Sequence, residues 1–192
     1  MRIIAGTHKG RRLLSPNTRE LRPTSGRVKE ALFSILGDRV SGASVLDLFA
    51  GTGAIGIEAL SRGAQHVTFV ESHRTSLRLL RANLDRCGFT KNTDIYPAEA
   101  GVFLQHAKRN GNGLDFDIIF ADPPYRDNSA DMLLPLLGQS AMIRLHTVVI
   151  LEHPTKQSIP AQVGPLKRTR QYRYGDTSLS LFDTWDEGVS AS

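Results

Sequence analysis

At 192 residues, with 40% apolar and 22% charged side chains, the chain has the makeup of a soluble globular domain with a sizeable core, which excludes disordered and fibrous classes. No apolar run approaches the roughly 18 residues that span a bilayer. The start, "MRIIAGTHKGRR", lacks the apolar core of a signal peptide, so the expected location is the cytoplasm. The net charge of +5 is unevenly placed: residues 1–30 hold eight Lys and Arg against Glu20 and Glu30, and the rest of the chain is close to neutral. A basic arm of one sign is the composition expected of a surface that meets phosphates, and nucleic acid is the expected partner.

Arg2–Ala5 and Arg11–Leu14 flank the stretch from Gly6 to Gly10 and read as a small hairpin. "RPTSGRVKEALFSIL" follows, with Thr24 as N-cap and Val28, Ala31, Leu32, Ile35 and Leu36 as one apolar stripe of a helix that should dock on the domain. From there strand and helix patterns alternate. Ser44–Ala50, His66–Glu71, Asp94–Pro97, Asp117–Ala121 and Thr147–Glu152 read as five short strands. Ile55, Ala59 and Leu60 mark one intervening helix, and Leu77, Leu80, Leu84 and Cys87 recur at spacings of three and four in another. The alternation implies a doubly wound, mostly parallel sheet. Beyond residue 165, Lys167–Tyr174 and Thr177–Thr184, joined by Gly175-Asp176, read as a β-hairpin that adds antiparallel strands, and the end, "DEGVSAS", reads as a flexible tail.

Three features carry chemistry. "DLFAGTGAIG" contains Gly51-x-Gly53-x-x-Gly56, with Glu71 twenty residues beyond Gly51 at the end of the next strand, a spacing that suits a loop beside a ribose-binding acid. Asp47 stands inside the preceding strand, where a carboxylate is costly unless it meets a cation or an amine, and this favours a sulfonium cofactor with an amino-acid tail over NAD. Asp122-Pro123-Pro124-Tyr125 follows the fourth strand. Its prolines remove two N–H donors, so a carboxylate and carbonyls form an acceptor-only cup for a planar amine, with Tyr125 as a stacking face. The single Cys87 and six histidines without paired spacing give no expectation of a metal.

These motifs, with "RIIAG…KGRRL", "RPTSGRVKEALF", "LDLFAGTGAIGIEALSRGA", "VES" and "YGDTSLSLF", resemble the RsmD family of bacterial rRNA methyltransferases. The resemblance covers nearly the whole chain. It implies methylation of the exocyclic N2 amine of one guanine in small-subunit (16S) rRNA, free or within a small subunit, by S-adenosyl-L-methionine. It implies a seven-stranded Rossmann-like methyltransferase sheet over residues 41–185, a basic RNA-contacting extension over 1–40, and a tail at 186–192. The implied cofactor residues are Asp47, Phe49, Ala50, Gly51, Gly53, Glu71, Ser72, Glu99, Ala100 and Asp122, where Glu99 stands in a "PAEA" stretch at which the family often has aspartate. Asp122, Pro123 and Tyr125 are the expected catalytic residues. Arg11, Arg12, Arg22, Thr24, Arg27 and Lys29 are the expected RNA contacts, and a monomer is the expected state. The rival readings are a DNA adenine N6-methyltransferase, a protein glutamine methyltransferase, an NAD oxidoreductase on the glycine loop, and a non-catalytic RNA-binding module.

Overall fold

A computed structural model describes residues 1–15, 26–110, 114–124 and 129–184. Among the described residues eight strands belong to a mixed sheet, one more than the seven expected. The chain forms two compact units, Met1–Ala100 and Gly101–Ser192.

In the first unit three parallel strands are ordered β3 (Thr93–Tyr96), β2 (His66–Val70), β1 (Ser44–Leu48). β1 and β2 are apolar runs buried beyond their first residues, as parallel strands covered on both faces should be. α1 (Gly26–Leu36), α2 (Ala54–Ser61) and α3 (Arg74–Cys87) accompany them. α3 buries the expected Leu77, Leu80, Leu84 and Cys87 and ends on Gly88 in the left-handed conformation. α2 is buried along its whole length, including Glu58.

The second unit holds α4 (Ala100–Asn110, of which Ala100 belongs to the first unit), β4 (Ile118–Ala121), α5 (Ser129–Gly138), β5 (Val148–Pro154), β6 (Gln162–Val163), β7 (Leu166–Tyr174) and β8 (Thr177–Thr184). Its strand order is β4-β5-β8-β7-β6, with β4 and β5 parallel and the last three added antiparallel. The C-terminal hairpin lies where the sequence places it, and β8 docks beside β5 along seven residue pairs.

The N-terminal extension differs from its expectation. Arg2 and Arg12 form an isolated antiparallel bridge in place of two strands, with Ile3 N–H donating to the Arg11 carbonyl at 3.0 Å and Leu13 N–H to the Met1 carbonyl at 3.0 Å. The ladder goes no further because the amides of Ile4 and Ala5 donate to Glu58 and not to a facing strand. The N-cap expected at Thr24 lies outside the described residues, as do Arg22, Tyr125 and the tail.

Candidate functional site

The sequence from β1 to α2 builds a turn at the carboxyl end of the strand, where open α/β sheets bind ligands. Asp47 is 1% exposed, and its Oδ2 accepts the amide of Gly56 at 2.9 Å. The carboxylate therefore fastens strand to helix at the positive end of α2, whatever else it meets. Phe49, Gly51 and Gly53 all have positive φ, of 62°, 56° and 82°. Glycine takes that backbone without strain, whereas Phe49 holds it against its own Cβ, a kind of strain that gathers at functional sites. Gly56 answers a packing need instead, since a Cβ there would stand 2.2 Å from the Phe69 ring.

Glu71 follows β2 and is aimed by two backbone amides. Its Oε2 accepts the Gly51 N–H at 2.7 Å and its Oε1 accepts the His73 N–H at 2.6 Å. Each oxygen keeps a further lone pair with which to take a hydroxyl. A Cβ built on Gly51 would meet nothing nearer than 4.0 Å, so the loop leaves open space beside the acid. Glu71 N–H also donates to the Tyr96 carbonyl at 3.2 Å, joining the ends of β2 and β3. Ser72 is exposed next to it. Past β3, Glu99 is exposed and Ala100 is buried as the first residue of α4. Asp47, Phe49, Ala50, Gly51, Gly53, Glu71, Ser72 and Glu99 thus lie within or beyond the carboxyl ends of the three strands of the first unit.

In the second unit Asp122 follows β4 directly. Burial pushes its carboxyl up to about 7, because removing water disfavours the charged form. Pro123 is buried and Pro124 exposed, and neither has an N–H, so the backbone here presents acceptors alone.

The basic arm docks on α2 and α3 through contacts that local sequence patterns did not reveal. Glu58, fully buried, accepts the amides of Ile4 at 2.8 Å and Ala5 at 2.9 Å, and pairs with Lys29 Nζ at 2.9 Å and Arg62 Nε at 2.9 Å. Burial alone would raise its pKa, but the Ile4 amide, Lys29 and Arg62 outweigh it and hold the carboxyl below its ordinary value. Lys29 also donates to the Arg2 carbonyl at 2.9 Å and is 2% exposed. The expectation that Lys29 contacts RNA is therefore corrected: its ammonium is spent on Glu58 and Arg2 inside the fold. Arg11, Arg12 and Arg27 are exposed, with one guanidinium nitrogen of Arg11 donating to the Arg86 carbonyl.

Gly6 approaches the end of α2 so closely that a Cβ would lie 1.7 Å from the Ser61 carbonyl oxygen. Asn83 on α3 was not foreseen either. Fully buried, it accepts the Leu14 amide at 2.7 Å and donates to the Leu14 carbonyl at 3.1 Å and the Thr52 carbonyl at 3.0 Å. One side chain thereby ties the arm to the glycine loop. An asparagine amid the apolar positions of α3 is the one signal that could have found it, since a buried amide must find partners.

The family model described as Conserved hypothetical protein 95 matches residues 1–183. Ribosomal RNA small subunit methyltransferase D of Haemophilus influenzae is 37% identical over 154 residues, covering 79% of this chain and 78% of that protein. The protein of the same name from Escherichia coli strain K12 is 31% identical over 190 residues, covering 99% and 93%. The solved structure of yhhF from Escherichia coli superposes with a TM-score of 0.84 at 31% identity, over 96% of this chain and 98% of that one. A family match across nearly the whole length, with relatives above 30% identity over most of both chains, shows that this chain belongs to the Conserved hypothetical protein 95 family, the RsmD family that its motifs resemble.

Proposed function

We propose that this protein is an S-adenosylmethionine-dependent methyltransferase that modifies the N2 amine of a guanine in small-subunit rRNA. The observation that carries the reading is Asp122, raised to about 7 by burial and followed by two prolines at the carboxyl end of β4, in a chain whose relatives are named for small-subunit rRNA methylation. An acceptor-only turn suits an amine donor, and a carboxyl titrating near neutrality is matched to receiving a proton there.

The first unit holds the cofactor. The open glycine loop and the amide-aimed Glu71 fit a ribose with an amino-acid tail: Glu71 takes the hydroxyls, and Asp47, Phe49, Ala50, Gly51 and Gly53 line the methionine end. Ser72, Glu99 and Ala100 face the adenine. When bound, S-adenosylmethionine supplies an electrophilic methyl on a sulfonium. The second unit holds the base. The carboxylate of Asp122 and the carbonyl of Pro123 accept the two N–H groups of the amine, which localises its lone pair, and Tyr125 stacks on the ring. Asp122 then receives the proton that the methylated amine releases. Residues 1–40 grip the rRNA through Arg11, Arg12, Arg22, Thr24 and Arg27, the protein acts as a monomer in the cytoplasm, and no metal takes part.

Offering labelled S-adenosylmethionine with protein-free rRNA, small subunits and DNA, then digesting the product to nucleosides, tests the reading: label in N2-methylguanine supports it, and label in N6-methyladenine or in no nucleoside sinks it. For the cofactor, Glu71→Ala should weaken S-adenosylmethionine binding ten-fold or more by calorimetry, since hydrogen bonds to a charged group contribute roughly 1.5–3 kcal/mol. An unchanged affinity would remove Glu71 from the cofactor site.

A further inference from the structure

The charge count of the sequence points to the N-terminal arm, yet β7 is also a basic strand. "LKRTRQYRY" carries Lys167, Arg168, Arg170 and Arg173 with Tyr172 and Tyr174, and no acid. The register separates these side chains. Residues opposite each other in a ladder share a face. Lys167, Arg170, Tyr172 and Tyr174 pair with Asp183, Leu181, Leu179 and Thr177, while Arg168, Gln171 and Arg173 pair with Phe182, Ser180 and Ser178. The β-bulge between Arg168 and Arg170 makes this sorting, because it inserts one residue, Thr169, and returns Arg170 to the face of Lys167. Without it Arg170 would fall with Arg168.

Lys167 and Arg170 are exposed, and both tyrosines are half-buried. Arg170 Nη1 donates to the Tyr172 hydroxyl at 3.3 Å, which holds cation and ring together on that face. Asp183, the acid opposite Lys167, accepts the Thr169 hydroxyl at 2.6 Å. β6 pairs with β7 only at Lys167 and Leu166, so among the described residues no strand pairs with the edge of β7 away from β8 between Thr169 and Tyr174.

We propose that this face of β7, formed by Lys167, Arg170, Tyr172 and Tyr174, is a second RNA-binding surface that takes a single-stranded segment. The proposal rests on the rRNA reading above and extends it to a unit that the basic arm does not belong to. Cations that follow a backbone, interleaved with aromatic faces on which bases stack, are what sequence-tolerant single-strand binding requires. The alternative role for these charges is protection of an open sheet edge against pairing with another chain.

Charge reversal separates the two roles because it keeps the edge charged. Binding of a small-subunit rRNA fragment would be measured by anisotropy at several salt concentrations for wild type, Arg170→Glu, Arg173→Glu and Tyr174→Ala, beside methylation of small subunits and a melting curve for each variant. Arg170→Glu should weaken binding ten-fold or more and flatten the slope of log affinity against log salt by about 0.7, the share of one phosphate on a single strand. Tyr174→Ala should weaken it about five-fold or more, the lower end of base-stacking contributions. Arg173→Glu makes the same charge change on the opposite face and should leave affinity and slope near wild type. Equal effects of the two reversals, or none from either in a wild type that binds and methylates, overturn this proposal alone. A wild type that neither binds nor methylates RNA overturns the rRNA reading together with it.

Discussion

Asp122→Ala is expected to retain S-adenosylmethionine affinity and to lose methyl transfer by roughly a hundred-fold or more under single-turnover conditions, the range for removing a positioned proton acceptor. The pH dependence makes the expectation specific. With the carboxyl raised to about 7 by burial, the ionised acceptor is about a tenth of the population at pH 6 and dominates at pH 8, so the wild-type rate should climb through neutrality and level off above it. Asp122→Asn should lack that rise. Stability runs the other way. A folded-state pKa above the ordinary carboxyl value of about 4 means that ionisation is disfavoured by the fold, so the penalty is absent below about pH 4, grows to about pH 7 and is complete above it. Asp122→Asn should therefore melt at a higher temperature than wild type at pH 8 and at the same temperature near pH 3. A rate near wild type would remove Asp122 from the catalytic role, and a melting difference that does not change with pH would show that burial does not raise its carboxyl.

Glu58→Ala should be the most damaging change to the fold. It strands the Lys29 ammonium without its buried counter-charge and leaves the Ile4 and Ala5 amides without an acceptor. Breaking a buried pair by removing one partner costs about 3–5 kcal/mol, a large part of the roughly 5–15 kcal/mol that typically holds a domain folded. Urea unfolding at pH 7 measures it, and a loss under about 1 kcal/mol would show that the network is not a clamp. Replacing both partners by apolar residues, Glu58→Leu with Lys29→Met, should recover only the part of the loss that comes from the stranded ammonium, because the Ile4 and Ala5 amides and the Arg62 guanidinium still lack their acceptor. The carboxyl of Glu58 is held below its ordinary value, so its contribution is present above about pH 4 and fades as pH falls through the lowered folded value. The alanine variant should lack that acid-side fall.

The parts of the molecule that were legible in the sequence are those whose signal is local. Apolar runs such as "SVLDL" and "HVTFV" announced β1 and β2, the spacing of Leu77, Leu80 and Leu84 announced α3, and acids just beyond strand ends marked Glu71 and Asp122. β6 carries no such signal because Gln162–Val163 is too short to show alternation; it is the strand beyond the seven expected among the described residues. Lys29 was misplaced because its charge was read before its position. It shares a helical face with Phe33 and Leu36, four and seven residues on, and that face is buried. What Glu58 and Asn83 hold was invisible for a deeper reason. Their partners in the arm are backbone groups of Ile4, Ala5 and Leu14, which carry no side-chain signature and lie 53 to 69 residues away.

Those separations also set an order of events during synthesis. Ile4 and Ala5 dock on Glu58, Thr7 and His8 on Ser61, Arg11 on Arg86 and Leu14 on Asn83, so none of these contacts can form until α2 and then α3 have been made. At roughly 5–20 residues per second, the arm is in the cell for on the order of several seconds before its seat exists. Loop closure over such spans costs little more in entropy than over shorter ones, so docking waits on the appearance of the partner and not on a search. The arm is thus made well before it can settle, and its docking follows the formation of α2 and α3. Until then its arginines stand undocked in a compartment full of RNA, a nascent chain already carrying the charge that its finished form presents.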